Sequence, residues 1–362
     1  MLGAVAGASL RAAAQQEIRT AFIGVGRRGR SLVEQVLAER DVKITAICDI
    51  EAQARDQAQS LAKRDNPRSM TDYRRVLELK DVDAVVVATP CYLHAEMATA
   101  CLEAFKYVYC EKPLGITPEQ VELVLRAARQ SKAFLQIGQQ LRYMPGLREM
   151  IRLLHQDKVL GEAWVIKAQR HGTPVPAEAE QSRPAWYKDV KLSGDLIVEN
   201  AVHNLDVCNW AIGSLPERAA GFGGTLVWVN DPPGRTNMDG YTLCYEYANG
   251  VKMSFTQVFF HPNGMPGGGQ YFYVYGTEGA VDVNGGMYYP RARKSQPVRL
   301  IELEVPRGRD AHIAAFFESI RTGAKPPADY TVAATGALTA ILGREAIYRK
   351  KMMTWKDLGV EI

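Results

Sequence analysis

Apolar positions along this chain recur with two periods, and the change between them divides it. Residues 18–23 form a short run of strand formers that passes through Gly24, Gly26 and Gly29 into an amphipathic segment at 31–40. The alternation continues with a strand over Val42–Cys48 that ends at Asp49, an Ala/Gln-rich helix over 51–64 and a short helix over 73–79. The run DAVVVAT at 83–89 is continuously apolar after its first residue and reads as a parallel strand buried on both faces. Pro90 breaks it, 93–105 is helical, and 106–110 is another strand, followed at once by Glu111, Lys112 and Pro113. Thr117 caps a helix that has Pro118 in its first turn and runs to 131, and 134–138 closes the series. Strand and helix in steady alternation predict an α/β, doubly wound parallel sheet. Its ligand should sit at the carboxyl ends of the strands, where Gly24, Asp49, Thr89 and Lys112 all fall.

Beyond this point the period shortens. A helix at 146–156 leads through Gly161 to a strand at 163–169, then to a Pro-rich loop with Trp186 and a helical segment at 194–212. Strands are predicted at 219–229, 239–247, 251–260, 270–275, 280–283 and 298–305, with turns such as Asn249-Gly250 joining neighbours. Gly264–Gly269 reads as a flexible loop, because no helix follows it. Helices at 311–321 and 332–350 complete the pattern. The expected organisation is a leader at 1–16, a dinucleotide-binding domain at 17–140 and a second α/β domain at 141–362. The two C-terminal helices are candidates to pack back on the first domain.

Composition narrows the partners. The chain has 362 residues, 47% hydrophobic and 23% charged, with a net charge of +4 and no Lys/Arg run. This argues against nucleic acid or an anionic membrane as a partner. Cys48, Cys91, Cys101, Cys110, Cys208 and Cys244 show neither CxxC nor metal spacing and are expected to be buried thiols, so no metal site is predicted. Residues 1–10 are small and apolar, and Ala12–Ala14 precede Gln15 as at a signal-peptidase site, although no basic segment comes first. The favoured reading is a truncated export signal and a periplasmic protein; the alternative is a disordered leader on a cytoplasmic one.

The glycines carry specific chemistry. Gly24 permits the tight turn, Gly26 leaves no Cβ between backbone and a pyrophosphate, and Gly29 lets the helix approach the strand. Free N–H groups at the helix start then favour the phosphate charge. Asp49 stands about 20 residues after Gly29, the spacing of the acid that accepts from the ribose hydroxyls of NAD and repels the extra phosphate of NADP. Arg27 and Arg28 are the residues that would favour a phosphate instead.

Taken together, IGVGRRG, the acid after strand two, Ala88-Thr89-Pro90 with His94, Glu111-Lys112-Pro113 and GDLIVENAVHNLDVCNW (194–210) resemble the Gfo/Idh/MocA oxidoreductases. YGTEGAV (275–281) and MTW (353–355) extend the likeness over nearly the whole chain. The resemblance implies a Rossmann domain followed by an α/β domain with an open, mostly antiparallel sheet. It also implies bound NAD(P), hydride transfer to or from a carbon of a sugar or polyol, and homodimers or homotetramers formed through the sheet. Thr89, Pro90, His94, Glu111 and Lys112 become candidate cofactor contacts.

Oxidising a secondary alcohol needs a base for the hydroxyl proton and a donor for the developing alkoxide. His203 is the natural base and Lys112 the natural donor, while Glu199 lies one helical turn before His203 if the segment is continuous. The family pattern has Asp where this chain has Glu199, followed by Asn200, which leaves the role of this acid open. A core-facing histidine and a surface lysine are the plain alternatives for His203 and Lys112. Arg142, Tyr143, Arg170, His171, Trp186, Tyr187 and Asn200 are weaker candidates for contact with a sugar, and Asp206 is expected to hold its helix in place. Three functions fit: a dehydrogenase of a sugar, sugar derivative or inositol; a glycoside hydrolase or lyase that retains NAD and passes through a transient keto-sugar; and a non-catalytic NAD-binding regulator, against which the Lys112 and His203 pair argues.

Overall fold

In the computed structural model, which describes residues 17–174, 182–302 and 311–362, β1 (Ile18–Ile23) turns through Gly24 into α1 (Arg27–Leu37). The unit repeats through β2 (Val42–Cys48), α2 (Ala52–Leu61), β3 (Arg68–Met70), α3 (Tyr73–Leu77), β4 (Ala84–Val87), α4 (His94–Glu103), β5 (Tyr107–Cys110), α5 (Pro118–Gln130) and β6 (Leu135–Ile137). All six strands are parallel, in the order β3-β2-β1-β4-β5-β6, so the strand order reverses between β1 and β4. That reversal opens the crevice in which such sheets hold ligands. Val85, Val86 and Val87 are fully buried because helices cover both faces. Thr117 Oγ1 accepts from Gln120 N at 3.3 Å and starts α5.

The second part begins with α6 (Pro145–His155) and β7 (Ala163–His171). Three short helices, α7 (Ala185–Lys188), α8 (Val190–Ser193) and α9 (Asp195–Glu199), lead into α10 (Val202–Ile212). Then come β8 (Pro216–Gly224), β9 (Gly240–Tyr247), β10 (Lys252–Val258), β11 (Gly269–Gly276), β12 (Gly279–Asp282), β13 (Met287–Pro290) and β14 (Val298–Arg299). α11 (Ala311–Thr322), α12 (Tyr330–Tyr348) and β15 (Met353–Thr354) follow. Among the described residues this sheet runs β14-β13-β12-β11-β7-β10-β9-β8-β15, antiparallel throughout except where β7 lies parallel to β10. α10 and α12 cover one face, over Leu243, Tyr245, Phe255 and Phe272. α11 returns to the first sheet: Phe316 and Phe317 join Phe22, Val33 and Tyr109 in one core cluster, and Arg321 Nε bonds Asp41 at 2.7 Å.

Several expectations change. The helical segment at 194–212 is broken: α9 stops at Glu199, and α10 restarts at Val202 after Asn200 and Ala201. The strand expected to reach 229 ends at Gly224, because the amides of Leu226, Val227 and Trp228 turn onto the Asp239 carboxylate at 3.0, 2.7 and 2.8 Å. Backbone donors satisfied by a side chain are not left for a neighbouring strand. Met287–Pro290 is a strand that the turn-rich sequence around it concealed. Cys244 is exposed while the other five thiols are buried, since it alternates with the buried Leu243 and Tyr245 and points to the uncovered sheet face. The leader and residues 303–305 of the expected last strand lie outside the described residues.

Candidate active site

The turn after β1 has the shape of a phosphate cradle. Gly24 has φ +87°, and a Cβ there would come within 2.7 Å of the Ala88 carbonyl; a Cβ on Gly29 would collide with Gly24 O. These two glycines serve the protein's own packing. A Cβ on Gly26 meets nothing within 4 Å, so its absence matters only to something arriving from outside. α1 starts at this point with no side-chain cap and no acid in its first turn, leaving its N–H groups to a ligand anion. Gly26→Ala should therefore fold with unchanged thermal stability yet weaken NADH binding about tenfold or more, the cost of one methyl in a close-packed contact. Equal affinity in a fluorescence titration would show that no phosphate passes over Gly26.

Asp49 closes the cradle at the end of β2, with Oδ2 accepting from Val25 N at 2.7 Å and Oδ1 from Glu51 N at 3.0 Å. Each oxygen keeps a lone pair for a ribose hydroxyl. Thr89 Oγ1, after β4, is buried without a protein partner. Arg27 is exposed. Arg28 instead turns inward, giving Nε to Glu111 at 2.7 Å and Nη2 to Gln140 at 3.3 Å. Pro90 follows Thr89 and precedes the helical turn at Cys91–Leu93 that leads into α4 and His94. His94 is buried with Nδ1 at 2.7 Å from Pro113 O and Nε2 at 2.8 Å from Thr89 O, so it ties the loop after β4 to the loop after β5 and has no free edge for a ligand. These features fit a dinucleotide: a glycine cradle, an uncapped helix start and an acid at the second strand end.

Glu111 and Lys112 leave β5 in opposite directions. Glu111 is buried; burial alone would raise its pKa, but Arg28 and Lys112 hold it below the usual carboxylate range. Lys112 Nζ reaches across to the second domain and donates to Glu199 Oε1 at 2.7 Å and to Glu199 O at 2.5 Å. Burial works against the ammonium, yet the Glu199 carboxylate outweighs it and raises the lysine above its ordinary value. The break after Glu199 turns its carboxylate to Lys112, with no hydrogen bond to His203, so this acid does not orient the histidine. His203 opens α10 with Nδ1 buried and unpartnered. Burial, then the charges of Lys112, Arg170, Arg28 and His312, push its pKa well below the usual value. It is a neutral imidazole at pH 7.

The sheet supplies a floor. Register places Tyr241 on β9 beside Gln257 on β10, Gln257 beside Arg170 on β7, and Arg170 beside Gln270 on β11. All four face the helices, at the end of a face otherwise lined by Leu243, Phe255, Ala168 and Phe272. Tyr241 OH donates to Gln257 Oε1, and Gln257 Nε2 to Asn200 Oδ1 at 2.8 Å. Arg170 Nη1 donates to Asn204 Oδ1 at 3.2 Å, and Asn204 Nδ2 to Gln270 Oε1 at 2.9 Å. Tyr241, Asn204, Gln257 and Gln270 escaped the sequence reading. The available signal was a polar residue at an inward position of an otherwise apolar alternation, as with Gln257 after Met253 and Phe255.

The remaining sugar-contact candidates divide. Arg170 and Asn200 belong to the floor, and Tyr187 is buried with Trp186 against it edge to face at 5.8 Å. His171 points the other way, to Thr256 Oγ1 at 2.9 Å on the opposite sheet face, since adjacent strand residues alternate. Arg142 is also lost to the site: Nε and Nη2 each bond Asp206 at 2.8 Å. Tyr143 is buried beside the His312 ring at the same junction.

Comparison with known proteins agrees with this geometry. A model described as the oxidoreductase family's NAD-binding Rossmann fold, GFO_IDH_MocA, matches residues 18–139, and that of the GFO/IDH/MocA C-terminal domain matches residues 148–282. The chain belongs to the Gfo/Idh/MocA oxidoreductase family. Its relatives include the 2,7-anhydro-N-acetylneuraminate hydratase of Escherichia coli (strain K12), 26% identical over 74% of this chain and 68% of that one. The inositol 2-dehydrogenase of Salmonella typhimurium is 26% identical over 54% of each chain. The matches span 59%, 68% and 54% of the length of such curated relatives. Levoglucosan dehydrogenase, solved in complex with NADH, superposes with a TM-score of 0.78 at 18% identity, over 94% of this chain and 99% of that one. At that identity the superposition speaks to the fold of this family member.

Proposed function

We propose that this oxidoreductase transfers a hydride between NAD and a secondary alcohol of a sugar, sugar derivative or inositol. The reading rests on one observation: Lys112, at the end of β5 and held by Glu199, lies close enough to His203 on α10 for its charge to act on the imidazole. Bound NAD supplies the acceptor for the carbinol hydrogen and its electron pair. His203 Nε2 takes the hydroxyl proton, so alcohol and oxidised cofactor become ketone, reduced cofactor and one proton on the imidazole. Two of the three N–H groups on Lys112 go to Glu199, and the third is left to donate to the reacting oxygen. Asp49 favours NAD over NADP.

A neutral histidine with a depressed pKa predicts the pH profile. The base works when unprotonated, so kcat/KM should rise with pH through its pKa and level off. Because burial and the cations push that value down, the plateau should already be reached below pH 6.5. An acid limb above pH 7 would remove His203 as the base. The direct test is mass spectrometry of the denatured protein for retained cofactor, followed by a sugar and polyol screen in which NADH is counted per product. Failure of every alcohol to reduce NAD would sink the dehydrogenase reading.

The second reading keeps the site but recycles the hydride, so that transient oxidation acidifies a neighbouring carbon and permits elimination or hydrolysis. The relatives named 2,7-anhydro-N-acetylneuraminate hydratase favour it, matching 74% and 73% of this chain. Product formation without net NADH would select it. Assembly as a homodimer or homotetramer is supported by the uncovered sheet face, where Phe222 and Tyr275 are exposed, and is tested by light scattering. Among the described residues no helix is long and apolar enough to cross a membrane. Periplasmic export is the reading supported by the leader, against a cytoplasmic alternative, and fractionation of expressing cells tests it.

A further inference from the structure

The floor of the site carries one charge that its surroundings do not neutralise. Lys112 is paired with Glu199, Arg28 with Glu111 and Arg142 with Asp206, at 2.7, 2.7 and 2.8 Å. Arg170 has no such partner. Its guanidinium gives Nη1 to Asn204 Oδ1 at 3.2 Å, and no carboxylate lies within ion-pair reach of it among the described residues. Glu199, which acts on it through space, is already committed to Lys112. Its uncharged neighbours in the row are bonded to one another or to the Asn side chains above them. Arg170 is the member left with donors to spare, in a planar fork matched to a carboxylate.

A half-buried guanidinium costs free energy unless a counter-charge arrives, and neutral hydroxyls satisfy its donors without supplying one. Arg170 bonds Asn204 on α10 and acts on His203 one residue before it, so an anionic group on the molecule oxidised at His203 would fall within its reach. Resting on the dehydrogenase reading above, we infer that Arg170 receives a carboxylate on the substrate, and that the sugar handled at His203 is a sugar acid and not a neutral hexose or inositol.

Pairs of ligands that differ only in the carboxylate test this without any mutation. The NADH-loaded protein is titrated with glucuronate against glucose, galacturonate against galactose, and N-acetylneuraminate against its methyl ester. In at least one pair the acid should bind on the order of 100-fold tighter, near the upper end of what a hydrogen bond to a charged group contributes. Arg170→Gln should erase that preference, and Arg170→Lys, which keeps the charge without the fork, should restore part of it. Equal binding of acid and neutral partner, a preference that survives Arg170→Gln, or no binding by any pair overturns the inference. Stoichiometric NADH from neutral polyols with no preference for acids would leave the dehydrogenase standing and remove the carboxylate site. Arg170-dependent binding of an acid with no hydride transfer would do the reverse.

Discussion

His203→Ala lowers the single-turnover rate of hydride transfer by about 100- to 10,000-fold, the usual contribution of a positioned base, while NADH affinity stays close to wild type. Affinity is spared because the cradle is built from Gly24, Gly26, Gly29 and Asp49 at the ends of β1 and β2, whereas His203 stands on α10. Lys112→Met should cause a similar loss, since it removes the donor at the reacting oxygen and keeps the bulk of the side chain. It also strips Glu199 of its partner, which leaves a carboxylate in the half-buried site and adds to the damage. Both residues serve one proton transfer, so the double variant should lose far less than the product of the two single losses. The chemical step itself must be measured, because product release hides it in steady state. Near-normal transfer in His203→Ala would end its assignment as the base.

Arg142→Met costs about 3–5 kcal/mol of stability by denaturant unfolding, the penalty for breaking a buried pair and leaving one charge behind. Asp206 is 1% exposed, and burial already raises its pKa even against Arg142. Among the described residues Gln139 remains to help, its amide nitrogen at 3.0 and 3.2 Å from the two carboxylate oxygens once the amide is turned to suit both groups. The sign of the pH dependence follows. Without the guanidinium, the folded-state pKa of Asp206 rises further above its unfolded value. The folded state then binds the proton more tightly, and part of the lost stability returns as pH falls. Replacing both partners, Arg142→Met with Asp206→Leu, should recover most of the loss, because the stranded charge is gone. A single-variant loss below about 1 kcal/mol would place the pair among solvated ion pairs.

Some of this protein was determined by local sequence alone. Five of the six strands of the first sheet follow from short-range rules: apolar runs of strand length, glycines at fixed offsets, Thr117 and Pro118 at a helix start; β3, three residues with no apolar run, was not expected. Each strand, turn and helix closes its hydrogen bonds within a few residues or against a neighbour of the same kind, so spacing carries the information. The motif order was specific enough to identify the family before any coordinates. The division of labour among the three glycines also follows from the spacing, and the structure adds why they differ: Gly24 and Gly29 answer to the fold, Gly26 to the ligand.

What only tertiary structure decided is who partners whom. Arg142 and Arg170 look alike as basic residues near polar stretches, yet one is held by Asp206 and the other has no counter-ion among the described residues. Glu199 reads as a helical neighbour of His203, but the break at Asn200 hands it to Lys112, a residue from the other domain. The floor row joins Arg170, Tyr241, Gln257 and Gln270 through strand register, which alternation along one strand does not encode. Alternation tells which face a side chain takes, and it separates Arg170 from His171 only once the covered face is known. Register and ion pairing are set by packing energies summed over whole sheets and helices. No window of sequence contains both members of such a pair.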